Sequence, residues 1–294
     1  AALAHRGPDG SAVVVDPVFS LGIARLGIVA PSEGPRVYVA PDNPRIQAVH
    51  NGEIDNHQAL RRGLQVAGGA DSAVIPALFA RHGERAFERL RGPAAIALID
   101  EDGALHLRRD PLGKKPLFYA ERDGVLTFAS EQKALVAAGT VNGRPSTAAA
   151  AFFLRYGMLA DDLPWCAGVA SLAPGERVVV DDGGVRRVPP ARAALADRAP
   201  VDDHALTELL RAAVAMRVPT DVRGAVALSS GIDSALVASL AGSGGRHTRR
   251  EHRAPTGVDA AYTLAIPGAD ESGPPATPAP TLGHAHRHLH ATPP

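Results

Sequence analysis

From residue 12 to residue 129 the chain repeats one device: a short run rich in β-branched and apolar residues, closed by Gly, Asp, Asn or Pro. The runs fall at 12–15, 21–28, 45–49, 94–99, 105–108, 117–120 and 125–129. Short strands separated by turns bury their apolar residues by stacking sheet on sheet, so a largely antiparallel sandwich is expected. Asp100-Glu101-Asp102-Gly103 and Glu121-Arg122-Asp123-Gly124 lie between paired runs and read as hairpin turns. Two stretches, 56–65 and 72–90, carry apolar positions at helical spacing instead, as helices packed across the outside of a sheet would. One more hairpin reads from 168–180 through Asp181-Asp182-Gly183-Gly184.

Beyond residue 188 the pattern changes. Pro189-Pro190 to Pro200 is rich in Pro, Ala and Arg and reads as a linker. The expected division is a first domain over 1–188, a linker over 189–200 and a second domain over 201–294. The second domain opens with a helix over 204–216, then a buried strand, 224–228, that runs into Ser229-Ser230-Gly231-Ile232-Asp233-Ser234 and a helix over 235–241. Strand, Ser/Gly turn, then helix aims free backbone N–H groups and the positive end of the helix dipole at the turn, a geometry suited to phosphate. Residues 261–266 read as the next parallel strand, 242–255 as a polar, basic loop, and 273–280 as non-helical, because each Pro removes a donor and clashes with the preceding turn. The second domain therefore reads as a partial doubly wound parallel sheet.

With 294 residues there is length for two cores, and 45% hydrophobic with 21% charged residues is ordinary for a soluble globular chain. A net charge of zero offers no broad field to attract nucleic acid or an anionic membrane, and the basic cluster at 246–253 reads as a solvated loop. No apolar run reaches the ~20 residues that span a bilayer. No basic region followed by an apolar stretch opens the chain, so no signal peptide is visible. The single cysteine, Cys166, rules out an internal disulfide framework and fits a reducing cytoplasm, the expected location.

Four motifs carry the chemistry. They are His5-Arg6-Gly7-Pro8-Asp9-Gly10; Asn51-Gly52-Glu53-Ile54; Arg109-Asp110-Pro111-Leu112-Gly113 with Pro116-Leu117; and Phe128-Ala129-Ser130-Glu131 with Lys133-Ala134-Leu135. In that order, and followed by the Ser/Gly turn at 229–234, they resemble the asparagine synthetase family. There a class II glutamine amidotransferase domain feeds ammonia to an ATP-pyrophosphatase-type synthetase domain. The resemblance covers nearly the whole chain and implies an N-terminal-nucleophile-type αββα sandwich, α+β, followed by a partial α/β nucleotide-binding domain.

The resemblance also assigns roles. Arg25, Ile28, Glu53 and Asp71 match positions that hold glutamine: Asp71 receives its α-amine, Arg25 shapes the pocket near its carboxylate, and Glu53 and the Ile28 main chain complete the cradle. Asn51 and Gly52 match the oxyanion hole, where an amide side chain and a glycine N–H approach a tetrahedral oxyanion with no Cβ in the way. Ser229-Ser230-Gly231-Ile232-Asp233-Ser234 resembles a pyrophosphate-binding loop, in which Ser229, Ser234 and backbone N–H groups bind phosphate oxygens of ATP and Asp233 holds Mg²⁺. Leu228 and Leu264 match positions on the adenine side. The implied partners are glutamine, ATP and a carboxylate acceptor such as aspartate, with a homodimer also allowed.

The chain also departs from the family pattern. The family's nucleophile is an N-terminal Cys activated by its own α-amine, whereas this chain begins Ala1-Ala2-Leu3. Cys166 matches a segment with no catalytic duty. The expectation is a chain lacking the first strand, the nucleophile and later synthetase residues, inactive as written. Ser230 stands where the family has Gly, which would strain the loop if that position needed positive φ. Asp55 stands where the family commonly has Tyr. His284, His286, His288 and His290 alternate as on one strand face, but they lie in a segment that itself resembles the family, so no metal is assigned to them. Two other readings accompany the glutamine-dependent synthetase: a β-lactam- or macrolactam-forming cyclase of the same family without glutaminase activity, and a remnant that only binds ligands.

Overall fold

The computed structural model describes residues 2–190, 202–243, 257–265 and 285–290. The chain divides into two compact units, Ala1–Ala193 and Ala194–Pro294. The first unit begins with a hairpin of β1 (Ser11–Val15) and β2 (Ser20–Ala24), then β3 (Tyr38–Val39) and β4 (Gln47–Gly52). Three helices follow: α1 (His57–Arg61), α2 (Val74–His82) and α3 (Ala86–Arg89). The chain continues through β5 (Ala94–Ile99), β6 (Leu105–Arg109), β7 (Phe118–Arg122), β8 (Val125–Ala129), α4 (Gln132–Ala137) and α5 (Thr147–Tyr156). It closes with β9 (Ala170–Ser171), β10 (Arg177–Asp181) and β11 (Gly184–Val188).

One antiparallel sheet of six strands has the order β11-β10-β6-β5-β4-β3, and a second of three has the order β8-β7-β9. The strand period of two sends alternate side chains to opposite faces, so β5, buried at every position, feeds two cores. Ala94, Ile96 and Leu98 face Val74, Ile75, Leu78 and Phe87 of the helical layer. Ala95, Ala97 and Ile99 pack with Leu107, Leu117, Leu172 and Val178. On the far side Leu135 of α4 packs on Ala120 and Ala129 of β7 and β8. The layers are those of the expected αββα sandwich.

Several boundaries differ from the sequence reading. The strand expected over 21–28 stops at Ala24, because Arg25 leaves the hairpin to bridge Pro8. The helix expected over 72–90 is interrupted at Gly83, whose φ of 55° ends α2, and the helix expected over 56–65 shortens to α1. The arm expected over 168–180 is two strands: β9 pairs with β7 in one sheet and β10 with β6 in the other. Helix α5 was not expected, although Ser146 caps its start by accepting the Ala149 N–H at 3.2 Å and Gly157, at φ 71°, ends it.

In the second unit α6 (Asp203–Ala215) precedes β12 (Arg223–Ala227), α7 (Ile232–Ser243), β13 (Gly257–Ala265) and β14 (Ala285–His290). The strands form a parallel sheet in the order β12-β13-β14. Val226, Leu228, Ala238, Ala241 and Ala261 make its core. The loop expected from 242 begins later, because α7 continues to Ser243; most of the linker expected over 189–200, the rest of that loop over 244–255, the proline segment over 273–280 and His284 lie outside the described residues.

Candidate functional site

In the first unit a cavity of about 280 Å³ is lined by Arg25, Ile28, Asn51, Gly52, Glu53 and Asp71 together. Asn51 and Gly52 end β4, paired with Ala95 and Ala94 of β5. Gly52 has φ 136°, and a Cβ on it would lie 1.8 Å from the Pro93 carbonyl oxygen, so no other residue fits. Beside it the Glu53 N–H donates to the Pro93 carbonyl at 2.9 Å. The Asn51 side-chain amide donates to Ser130 Oγ at 3.4 Å. Asp71, 6% exposed, stands in the 3₁₀ turn that leads into α2, where its Oδ2 accepts the Ile54 N–H at 2.7 Å. Its carboxylate is thereby fixed to the strand end that carries Asn51.

Arg25 fastens the loop that forms another wall. Its Nη2 donates to the carbonyls of Val29 at 2.8 Å and Ala30 at 2.9 Å, and its Nη1 donates to that of Glu33. Ile28 sits inside this loop. The segment 7–10 lies directly against Ala24 and Arg25: a Cβ on Gly7 would lie 2.2 Å from the Ala24 carbonyl carbon, and Asp9 Oδ2 accepts the Gly27 N–H at 2.7 Å.

The motif at 109–113 acts as scaffold. Asp110 accepts the N–H groups of Leu112 and Lys114 at 3.1 Å, Lys115 at 3.0 Å and Ala94 at 3.3 Å. Arg109 donates to the carbonyls of Lys115 at 3.0 Å, Leu172 at 2.8 Å and Gly113 at 2.6 Å. These bonds set Lys115 in the cavity wall. The sequence reading missed Lys115, Tyr38, His50 and Ser72 as lining residues. Lys115 and His50 adjoin motif residues, a signal that could have found them, whereas Tyr38 lies on a two-residue strand that no periodicity announces.

The cavity is electrostatically loaded. Burial, then Asp71 and Asp55, push the Glu53 carboxyl up, against the opposing pull of Lys115. Burial pushes the Tyr38 hydroxyl up. Burial pushes His50 down, Asp71 opposes this and Lys115 adds to it. At the rim Glu131 meets His5 and Arg6 at 3.0 Å and Lys133 at 2.9 Å. Burial raises its carboxyl, and those three donors more than offset it, leaving it at about 2.

In the second unit Leu228 is buried where β12 ends, its N–H donating to the Tyr262 carbonyl at 2.8 Å and its carbonyl accepting from Thr263 Oγ1 at 2.7 Å. The turn then closes on itself. Ser229 Oγ and Ser234 Oγ lie 2.9 Å apart, Ser234 Oγ accepts the Ser229 N–H at 3.0 Å, and Ser229 Oγ accepts the Gly231 N–H at 3.2 Å. Ser230 is exposed and is not among the described residues with positive φ, so the strain expected from replacing Gly there does not arise. Asp233 is exposed in the first turn of α7. Leu264 lies on β13, and its side chain is outside the described residues.

A glutamine amidotransferase domain model matches residues 1–190, and an asparagine synthase model matches residues 205–294. The chain belongs to the asparagine synthetase family. It is 33% identical over 299 aligned residues to glutamine-hydrolysing asparagine synthetase 3 of Arabidopsis thaliana, covering 99% of this chain and 46% of that protein. It is 34% identical to Arabidopsis asparagine synthetase 2, over 81% of this chain and 38% of the relative. It is 32% identical to the Zea mays asparagine synthetase, over 81% of this chain and 37% of the relative. The chain thus spans less than half the length of these asparagine synthetases. Among solved structures it is similar to glutamine phosphoribosylpyrophosphate amidotransferase from B. subtilis, at 15% identity and a TM-score of 0.43, over 94% of this chain and 68% of that one. As an asparagine synthetase family member it keeps its one cysteine, Cys166, away from the cavity, in a separate depression beside Trp165 and Gln132, where burial pushes the thiol up. No helix among the described residues is long and apolar enough to cross a membrane.

Proposed function

We propose that the cavity of the first unit binds glutamine and the Ser/Gly turn of the second binds MgATP. Together they are the donor-binding and nucleotide-binding parts of an enzyme that forms an amide through an acyl-adenylate, with ammonia drawn from glutamine. The observation that carries this reading is the convergence of Arg25, Asn51, Gly52, Glu53 and Asp71, contributed by segments far apart in sequence, on one cavity. In the reading Asp71 receives the α-ammonium, the loop fastened by Arg25 encloses the α-carboxylate, and the Asn51 amide with the Gly52 N–H stabilises the oxyanion formed when the side-chain amide is attacked. Cys166 lines a separate depression and not this cavity, so in this reading cleavage requires a nucleophile other than this thiol.

In the second unit the backbone N–H groups at the start of α7 and the hydroxyls of Ser229 and Ser234 would take phosphate oxygens. The exposed carboxylate of Asp233, in the first turn of α7, would meet an Mg²⁺ that arrives on the nucleotide phosphates. The acyl acceptor would be a small carboxylate such as aspartate. The test is calorimetric titration of the full chain with L-glutamine and, separately, with MgATP. Both should bind; Asp71→Asn should abolish glutamine binding and spare MgATP, and Asp233→Asn the reverse. Failure of the wild-type chain to bind glutamine would refute the donor-site reading.

A further inference from the structure

His50 is buried beside the candidate oxyanion hole, and none of the roles above uses it. Its side chain is 2% exposed, and its Nδ1 lies 2.8 Å from Ser72 Oγ. Its Nε2 is fully buried and has no hydrogen-bond partner among the described residues. The nearest carboxylate oxygen is Asp71 Oδ2 at 3.9 Å, beyond hydrogen-bonding distance. A buried ring nitrogen left unpaired is costly, so its direction is informative. A lone pair on Nε2 would face the Asp71 carboxylate repulsively, whereas an N–H there is attracted. The proton therefore sits on Nε2, and Nδ1 accepts from the Ser72 hydroxyl.

Asp71 thus has two neutral groups beside it, the Ile54 N–H, which donates to its Oδ2 at 2.7 Å, and the His50 Nε2–H, 3.9 Å away and not hydrogen-bonded to it. Neither of them carries a charge, so the negative charge of the carboxylate is left for a cation in the cavity. We propose that His50 is a positioning residue for ligand recognition: acting through Ser72 and Asp71, it keeps Asp71 competent to receive an α-ammonium group and releases it on acidification. This rests on the glutamine-site reading above. A second proton, on Nδ1, would make His50 a cation that pairs with Asp71 and competes with the ammonium.

Besides Asp71, the charged group that acts on His50 is Lys115, from the turn before β7, and the other titratable or charged groups lining the same cavity are Arg6, Arg25, Tyr38 on β3 and Glu53 just beyond β4. Burial, and after it Lys115, hold His50 neutral, and Asp71 favours its charge. Glu53 also titrates in the acid range, so the His50 contribution must be separated from it by substitution.

The experiment is calorimetric titration of the full chain from pH 5 to 8 with L-glutamine and with 4-carbamoylbutanoate, which lacks only the amine. Wild-type affinity for L-glutamine should fall as the pH drops. His50→Leu should weaken L-glutamine binding roughly tenfold at pH 7.5, spare the analogue and lose the His50 part of the acid limb. His50→Gln, whose side-chain N–H reaches the place of Nε2, should restore affinity at pH 7.5 without that limb. An unchanged affinity and pH profile in His50→Leu overturns the proposal and leaves the glutamine site standing, and so does an equal loss of both ligands. If His50→Leu does not fold, Ser72→Ala decides: it should move the acid limb, and an unmoved limb overturns the proposal. No glutamine binding by the wild-type chain at any pH overturns the site reading and this proposal together.

Discussion

At the scale of single residues, the site depends most on atoms that are absent. Gly52 works because it has no Cβ: at φ 136° with the Pro93 carbonyl 1.8 Å from where a Cβ would sit, alanine forces β4 and β5 apart. Positive-φ strain and overpacking together put Gly52→Ala at roughly 3 kcal/mol of lost stability. Urea denaturation of the variant checks this, and a loss under ~1 kcal/mol would mean the strand end relaxes freely. The Asn-Gly-Glu motif was legible in sequence because its chemistry is local. Arg25, Ile28 and Asp71 were named through the family resemblance and line the cavity, but the way Arg25 shapes it was not legible: its guanidinium is spent on the carbonyls of Val29, Ala30 and Glu33, and only the fold shows it tying down a loop.

At the scale of elements, turns place the side chains that the strands cannot. Asp110 gathers four backbone N–H groups and so carries Lys115 into the cavity and joins β5 to the turn after β6. Asp110→Asn replaces one acceptor oxygen by a donor facing N–H groups, and should lower stability by about 2 kcal/mol while leaving the strands formed, as urea melts and circular dichroism would show. Glu131 joins the segment at residues 5 and 6 to the start of α4. Its folded-state value of about 2 lies below the ordinary carboxylate value of 4.5, so its contribution is present above pH 4.5 and is lost as the pH falls towards 2. Glu131→Gln should therefore melt below wild type at pH 7, with the gap closing steadily between pH 4.5 and 2. A gap that stays constant over that range contradicts the assignment. Elements with clean periodicity, such as β5 and the β7–β8 turn, were readable in advance. The segment 168–180 was not, because Pro174-Gly175, with φ 75° at Gly175, carries the chain from one sheet to the other, and α5 was hidden by an alanine-rich sequence that lacks a clear apolar stripe.

At the scale of the whole molecule, the described cores of the two units differ in depth. The first packs long aliphatic and aromatic side chains on both faces of its six-stranded sheet. The described core of the second is Val226, Leu228 and three alanines, and α6 buries none of its residues, with Leu209 61% exposed. Burial stabilises by ~25 cal/mol per Å² of apolar surface, so the described residues of the second unit bring less to set against chain entropy. Scanning calorimetry should accordingly show two transitions, the second unit melting first. A ligand that binds only the native form stabilises it by about 2.7 kcal/mol at a hundred times its Kd. MgATP at that level should raise the earlier transition alone, and L-glutamine the later one alone. A single transition moved by either ligand would show that the units unfold as one body, and an earlier transition moved by glutamine would place the donor site in the wrong unit. The two binding sites can thus be told apart by which core each ligand protects, before any turnover is measured.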